Sequence, residues 1–113
     1  LGRYPEDIYG GVDFNGGNPW VLATLAAAEY SFEMALKTKR KSDFIYWFEK
    51  GDEFIQRVQL HANPNGSLSE QIHRDSGFMV SAADLSWNYA AILTTADARA
   101  RAVVQKLKLK IKN

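Results

Sequence analysis

Residues 18–29 read NPWVLATLAAAE, and this stretch predicts a long, heavily buried helix. Asn18 suits the capping position before a helix, and Pro19 suits the first helical position. Apolar residues then continue around more than one face of the segment, as they do in helices that are covered on several sides. We therefore predict a first helix from about Pro19 to Lys39.

Two further helices are predicted downstream. The second runs from about Asp43 to His61, and Gly51 in its middle costs about 1 kcal/mol relative to alanine, so a break at that residue is expected. The third runs from about Ala82 to Lys106, with Ser81 and Asp84 forming a near capping box at its start. Little strand signal remains between the helices, so the chain is predicted to be all-α with three main helices.

A loop between the second and third helices carries one acid. Residues 65–71 read NGSLSEQ, which places Glu70 just after a glycine turn. Residues 81–89 read SAADLSWNY and bring Trp87 to the start of the third helix. A carboxylate beside an aromatic ring suits sugar hydrolysis, because the carboxylate activates water and the ring covers the apolar face of a pyranose.

Two tracts near the start of the chain complete a more specific pattern. Residues 2–7 read GRYPED, and residues 16–20 read GGNPW directly before the alanine-rich helix. Together with NGSLSEQ and the segment DLSWNYAA at 84–91, these ordered tracts resemble the C-terminal part of the catalytic domain of fungal and yeast glucoamylases, glycoside hydrolase family 15. The resemblance covers most of the chain from Leu1 to about Arg101, with no clear counterpart for Lys37 to Gly51.

The resemblance implies a fold and an activity. The fold is an (α/α)6 barrel, of which residues 1–113 would form the C-terminal portion. The activity is inverting, exo-acting hydrolysis of α-1,4 and some α-1,6 glucosidic bonds of starch and related glucans, with release of glucose. The family's general acid lies in an earlier segment that has no match here, so the isolated chain is expected to be essentially inactive. Its expected partners are the α-glucan substrate and the missing N-terminal part of its own catalytic domain.

The resemblance also assigns roles to single residues. Glu70 occupies the position of the general base, with Ser67 or Ser69 available to orient its carboxylate. The competing interpretation of Glu70 is a solvated loop acid, which is the usual situation of a glutamate.

The sugar-binding wall is assigned in the same way. Arg3 matches an arginine that hydrogen-bonds the sugar. Asp7 matches an acid that supports the same region and helps to hold the next glucosyl unit, and Glu6 matches a neighbouring acid. Trp20 and Trp87 match tryptophans at the pocket. The alternatives are a plain ion pair for Arg3 with Asp7 and simple core packing for the two tryptophans.

Composition excludes several other classes of protein. The chain is 46% hydrophobic and 24% charged with a formal net charge of +1, which indicates neither a nucleic-acid-binding protein nor an acidic tail. No apolar stretch is long enough to span a bilayer, so no membrane partner is expected. It has no cysteine, so disulfides and thiolate metal sites are impossible. His61 and His73 lack carboxylate or cysteine partners at the spacing of metal ligands, so we expect neither a metal site nor a cofactor.

The beginning of the chain bears on its context. The sequence starts at Leu1, inside a motif, and this suggests a fragment or processed product of a longer protein. Relatives of the resembled family are mostly secreted, so an extracellular location is expected, with a vacuolar or other intracellular role possible in a yeast. The alternative function is a non-catalytic helical module derived from the family and used for carbohydrate binding or interaction. An unrelated three-helix bundle is the third interpretation.

Overall fold

The computed structural model of the protein describes residues 1–4, 7, 9 and 17–112. Within these residues, the elements follow in the order α1 (Val21–Lys37), α2 (Lys41–His61), β1 (Ser69–Ile72), β2 (Met79–Ala83) and α3 (Ser86–Lys108). The prediction of three main helices is confirmed, with bounds that differ by a few residues. None of the helices described combines the length and apolar character that crossing a bilayer requires.

Helix α1 lies between the other two helices. Residues 38–40 join it to α2, so these two helices run antiparallel. Helix α3 runs in the same direction as α1, because Thr95 bonds to the carbonyl of Leu25 and Arg101 pairs with Glu33 further along. The core contains phenylalanines from α1 and α2 and small residues from α1 and α3, namely Ala28, Phe32, Ala35, Phe44, Phe48, Ala98 and Ala102.

The predicted break at Gly51 is wrong, because α2 continues through this residue. Gly51 is buried against the ring of Phe32, and a Cβ on it would lie 2.5 Å from Phe32 Cζ. The glycine thus gives an aromatic ring of α1 direct access to the backbone of α2. This packing outweighs the low helix propensity of glycine.

A hairpin that the sequence pattern did not reveal separates α2 from α3. Strands β1 and β2 pair antiparallel, with Ser69 opposite Ala83 and Gln71 opposite Val80. Two residue steps along β1 therefore face three steps along β2, which produces a bulge opposite Glu70. All four residues of β1 are buried, so the strand lacks the alternation of polar and apolar residues that would have indicated it.

The predicted capping box at the start of α3 is also wrong. Ser81 belongs to β2, and both Ser81 and Asp84 have positive φ angles, of 69° and 54°. Neither residue is therefore at the helix N-terminus. Helix α3 begins instead at Ser86, after Leu85 in an extended conformation.

Helix α1 begins later than predicted for a related reason. Trp20 is still extended and forms an isolated β-bridge with Gln71, so the first helical residue is Val21. The side chain of Asn18 does not cap the helix but bonds to the hairpin. The residues before α1 thus pair with β1 through a single isolated bridge.

A second apolar cluster holds the hairpin on the helices. It consists of Val21, Leu25, Val58, Leu68 and Ile72. Its members come from α1, α2, β1 and the loop before β1, so packing against α1 and α2 fixes the position of the strand that carries Glu70.

Candidate active site

Glu70 lies at the bulge of the hairpin, and only 8% of its surface is exposed. Its Oε2 accepts hydrogen bonds from Ser81 Oγ at 2.7 Å and from Gln71 Nε2 at 2.9 Å. A buried carboxylate requires such donors, because it has given up most of its water shell. Glu70 is therefore a held and largely dehydrated carboxylate rather than a solvated loop acid.

The hydroxyl that contacts Glu70 belongs to Ser81, not to Ser67 or Ser69 as the sequence suggested. The bulge brings this about, since the extra residue step on β2 turns Ser81 into the left-handed region and towards β1. Residues other than glycine occupy this region rarely and at some cost. Ser67 Oγ instead accepts a bond from Asn63 Nδ2 at 3.0 Å, within the turn before β1.

A chain of side-chain amides leads from Glu70 into the interior. Gln71 is fully buried, and its Oε1 accepts a bond from Asn18 Nδ2 at 3.1 Å. Asn18 Oδ1 in turn accepts the backbone N–H of Arg74 at 3.2 Å. The sequence indicated no role for Gln71 and assigned Asn18 to helix capping, so this chain was missed. Its one sequence signal is the presence of amide side chains within the GNPW and SEQ tracts.

Arg3 lies between one acid and several aromatic rings. Its Nε and Nη2 donate to the two carboxylate oxygens of Asp7 at 2.7 and 2.8 Å. Its Cζ lies 4.6 Å from the ring centroid of Trp20, 5.0 Å from that of Tyr9 and 5.2 Å from that of Tyr4. These are cation–π distances, so the rings and the acid together fix the guanidinium in place.

Asp7 is buried and tightly held. The hydrogen bond from Arg3 lowers the pKa of Asp7 to about 2, helped by the backbone N–H of Tyr9 and opposed by burial. Gly17 passes so close, at a φ of 61°, that a Cβ there would lie 2.7 Å from the Asp7 carbonyl oxygen. The Arg3 side chain keeps 33% of its surface exposed, so this ion pair can still offer donors to a ligand.

Trp20 connects the arginine cluster to the carboxylate. The residue is 5% exposed, Arg3 covers its ring on one side, and its backbone pairs with Gln71, the residue after Glu70. The burial favours a packing role for this ring. Through that role Trp20 sets the position of Arg3 relative to the hairpin.

Trp87 differs from Trp20 in its exposure. It is the second residue of α3 and keeps 46% of its surface exposed. The next residue, Asn88, is fully buried and donates from Nδ2 to the carbonyl of Ser69 at 2.9 Å, which ties the start of α3 to the strand of Glu70. Glu6, the remaining predicted site residue, lies outside the described residues.

Tyr89 ties the loop before β1 to the turn before α3. Its hydroxyl accepts the backbone N–H of Leu68 at 3.3 Å and donates to Asp84 Oδ1. The hydrogen bond to Asp84 raises the pKa of Tyr89, so the phenol remains a donor at neutral pH. Together with Asn88, this residue locks both ends of the hairpin to α3.

The strand of the held carboxylate is thus linked through Trp20 to the guanidinium of Arg3, and through Asn88 to the start of α3, where Trp87 is exposed. Such groups can take a proton from water, donate to hydroxyls and cover an apolar sugar face. A separate cleft of about 650 Å³ between α2 and α3 is lined by Leu68 but not by Glu70, so it is not part of this site. Among the residues described, no cluster of three or more histidines and acids could hold a metal ion.

The model of glycosyl hydrolases family 15 matches residues 1–97 of the chain. The chain belongs to this family. The probable glucoamylase of Schizosaccharomyces pombe is 34% identical to it over 119 residues, which cover 82% of this chain and 26% of the relative. The intracellular sporulation-specific glucoamylase of Saccharomyces cerevisiae is 27% identical over 136 residues, covering 80% and 25%. The glucoamylase structure from Saccharomycopsis fibuligera superposes with a TM-score of 0.80 at 26% identity, covering 90% of this chain and 30% of that one.

Membership of family 15 explains the helical arrangement. The solved glucoamylases have an (α/α)6 barrel, and the three helices of this chain belong to that fold. The chain spans about a quarter of the length of the curated relatives that it matches.

Proposed function

We propose that this family 15 chain provides the general base and part of the sugar-binding wall of a glucoamylase-type active site. The reaction is the inverting, exo-acting hydrolysis of α-1,4 and some α-1,6 glucosidic bonds of starch or related glucans, with release of glucose. The single observation that carries the proposal is Glu70, a buried carboxylate held by two donors at the bulge of the hairpin.

Glu70 acts on water in this proposal. Its carboxylate takes a proton from a water molecule that attacks the anomeric carbon, while a general acid on the opposite side protonates the leaving oxygen. The two carboxyl groups of inverting enzymes lie roughly 6.5–9.5 Å apart, which leaves room for that water. The general acid comes from a part of the catalytic domain that does not correspond to residues 1–113, so that part is the partner of this chain.

Arg3 and the aromatic residues form the wall. The guanidinium donates to sugar hydroxyls, and Asp7 keeps it oriented through paired hydrogen bonds. Trp87 offers its exposed ring to a glucosyl unit, and the ring of Trp20 packs against the guanidinium of Arg3. Glu6 contributes to the same wall by its place in the GRYPED tract.

The context of the chain is also part of the proposal. Residues 1–113 are the C-terminal portion of a glucoamylase-type catalytic domain, and the protein acts on starch outside the cell. An intracellular role in a yeast is the alternative location, because the relative from Saccharomyces cerevisiae is named as intracellular.

The test is Glu70→Gln in the polypeptide as its gene encodes it. Glutamine keeps the shape of the side chain but cannot take a proton, so kcat should fall by about 10²- to 10⁴-fold while binding of a monosaccharide-like inhibitor changes little. Glu53→Gln is the matched control, since Glu53 is an exposed acid that pairs with Lys50 on α2. If Glu70→Gln retains most of its turnover, Glu70 is not the base; a protein that binds glucan without hydrolysing it would be a binding module.

A further inference from the structure

We propose that Asn18 is a positioning residue for Glu70, acting through the buried amide of Gln71. It makes Glu70 Oε2 the oxygen that accepts protein hydrogen bonds and leaves Oε1 to take the proton of the attacking water. This inference rests on the proposed function, because it assigns a part in the same reaction to a residue 52 positions away in the chain.

The direction of the amide chain is forced from both ends. The backbone N–H of Arg74 can only donate, so the atom of Asn18 that faces it must be the oxygen. The nitrogen of Asn18 then faces Gln71 and requires the oxygen of that amide, which turns the nitrogen of Gln71 towards Glu70. An ionised carboxylate can only accept, so the last link agrees with the first.

Burial makes this orientation of the two amides stable. Gln71 is 0% exposed and Asn18 is 9% exposed, so water has little access to either amide. Rotating either amide by 180° would place donor against donor at one of its contacts and acceptor against acceptor at the other. Buried polar groups without partners are costly. The backbone holds Asn18 in place as well, because the next residue, Pro19, accepts the N–H of Ile72 at 2.9 Å.

The consequence for Glu70 is an asymmetric carboxylate. The two donors from described residues, Gln71 Nε2 and Ser81 Oγ, both meet Oε2. These bonds fix the rotation of the carboxylate and occupy the lone pairs of that oxygen. Oε1 is then the oxygen at which water can be deprotonated, provided that Asn18 keeps the amide of Gln71 in its present orientation.

The decisive variant is Asn18→Asp in the polypeptide as its gene encodes it. An ionised aspartate would accept from both Arg74 and Gln71, so Gln71 would turn over and present oxygen to Glu70. We expect kcat to fall about tenfold with KM changed less than about twofold. The acidic limb of the pH profile of kcat/KM should move to higher pH, because the ionised carboxylate loses a donor.

Two controls distinguish a positioning role of Asn18 from a general effect of the substitution on the fold or the charge. Asn65→Asp adds the same charge at an exposed turn and keeps an acceptor for the N–H of Ser67, so its pH profile should match the wild type. Gln71→Met removes the amide that links Asn18 to Glu70. Adding Asn18→Asp to this variant should therefore change neither kcat nor the acidic limb of the pH profile further. If Asn18→Asp fails to fold by circular dichroism, Asn18→Ser, which is too short to reach Gln71, should show the same split between kcat and KM.

The outcomes are distinct. The inference is overturned if Asn18→Asp keeps the wild-type kcat and pH profile, or if its effect adds in full to that of Gln71→Met. A loss of turnover in Glu70→Gln without any in Asn18→Asp leaves the proposed function intact and removes this inference alone. Retained turnover in Glu70→Gln removes the proposed function itself.

Discussion

Phe32 of α1 places its ring directly against the backbone of Gly51 in α2, where a Cβ would lie 2.5 Å from Phe32 Cζ. Gly51→Ala should therefore destabilise the protein, although alanine is the better helix former by about 1 kcal/mol. Overpacking of a buried contact costs about 1–3 kcal/mol, so we expect a net loss of about 1 kcal/mol in the free energy of unfolding, measured in urea.

Two variants test the cause of that loss. Gln59→Ala changes an exposed position of the same helix and should alter stability by less than about 0.5 kcal/mol. Phe32→Leu should be less harmful when combined with Gly51→Ala than the sum of the two single changes, because the smaller side chain vacates the contact. A Gly51→Ala protein more stable than the wild type would show that the ring moves aside without cost.

The ion pair of Arg3 and Asp7 predicts a dependence of stability on acid. The pKa of Asp7 is lowered from 3.8 to about 2, so the folded state holds its carboxylate ionised where the unfolded state takes up a proton. The contribution of Asp7 is therefore complete above about pH 4 and is lost as the pH falls towards 2. Urea unfolding of Asp7→Asn should lack this part of the acid dependence.

The control for this prediction is Asp75→Asn, which removes an exposed acid with a long 3.9 Å contact to Arg74. Its free energy of unfolding should decline with acid as in the wild type. Parallel curves for wild type and Asp7→Asn between pH 4 and pH 2 would contradict the prediction.

How far the sequence predicts this molecule depends on the kind of interaction. The helices were predictable because apolar periodicity reports burial along one continuous segment. The behaviour of Gly51 was not, since it depends on the ring of Phe32, which reaches it from another helix. The hairpin was not predicted because β1 is short, polar in part and buried on both faces.

The candidate site divides in the same manner. The SEQ tract pointed to Glu70, and the GRYPED tract pointed to Arg3 and Asp7, which do bond to each other. The donors to Glu70 were not predictable, because Ser81 reaches it only through a bulge and a positive φ angle. Register and bulges are properties of strand pairing, which a local pattern does not encode.

Ser81 predicts a contrast between two substitutions. Ser81→Ala and Ser81→Gly both remove the donor to Glu70, so each should lower kcat by about three- to tenfold. Their stabilities should differ, because only glycine adopts a φ of 69° without strain, and we expect the glycine variant to be more stable by about 1 kcal/mol. Ser76→Ala, at the turn of the same hairpin, should leave kcat unchanged; equal stabilities of the two Ser81 variants would argue against strain.

The isolated chain of residues 1–113 should release glucose from starch at a negligible rate. In the proposed mechanism the general acid lies outside residues 1–113, and the loss of general acid catalysis costs about 10²- to 10⁴-fold in rate. The measurement is glucose release from maltoheptaose by purified residues 1–113, with circular dichroism to establish that the helices are formed. The same chain with Glu70→Gln gives the background from contaminating enzymes. Glucose release at the rate of a complete glucoamylase, abolished by Glu70→Gln, would mean that an acid within these 113 residues protonates the leaving group.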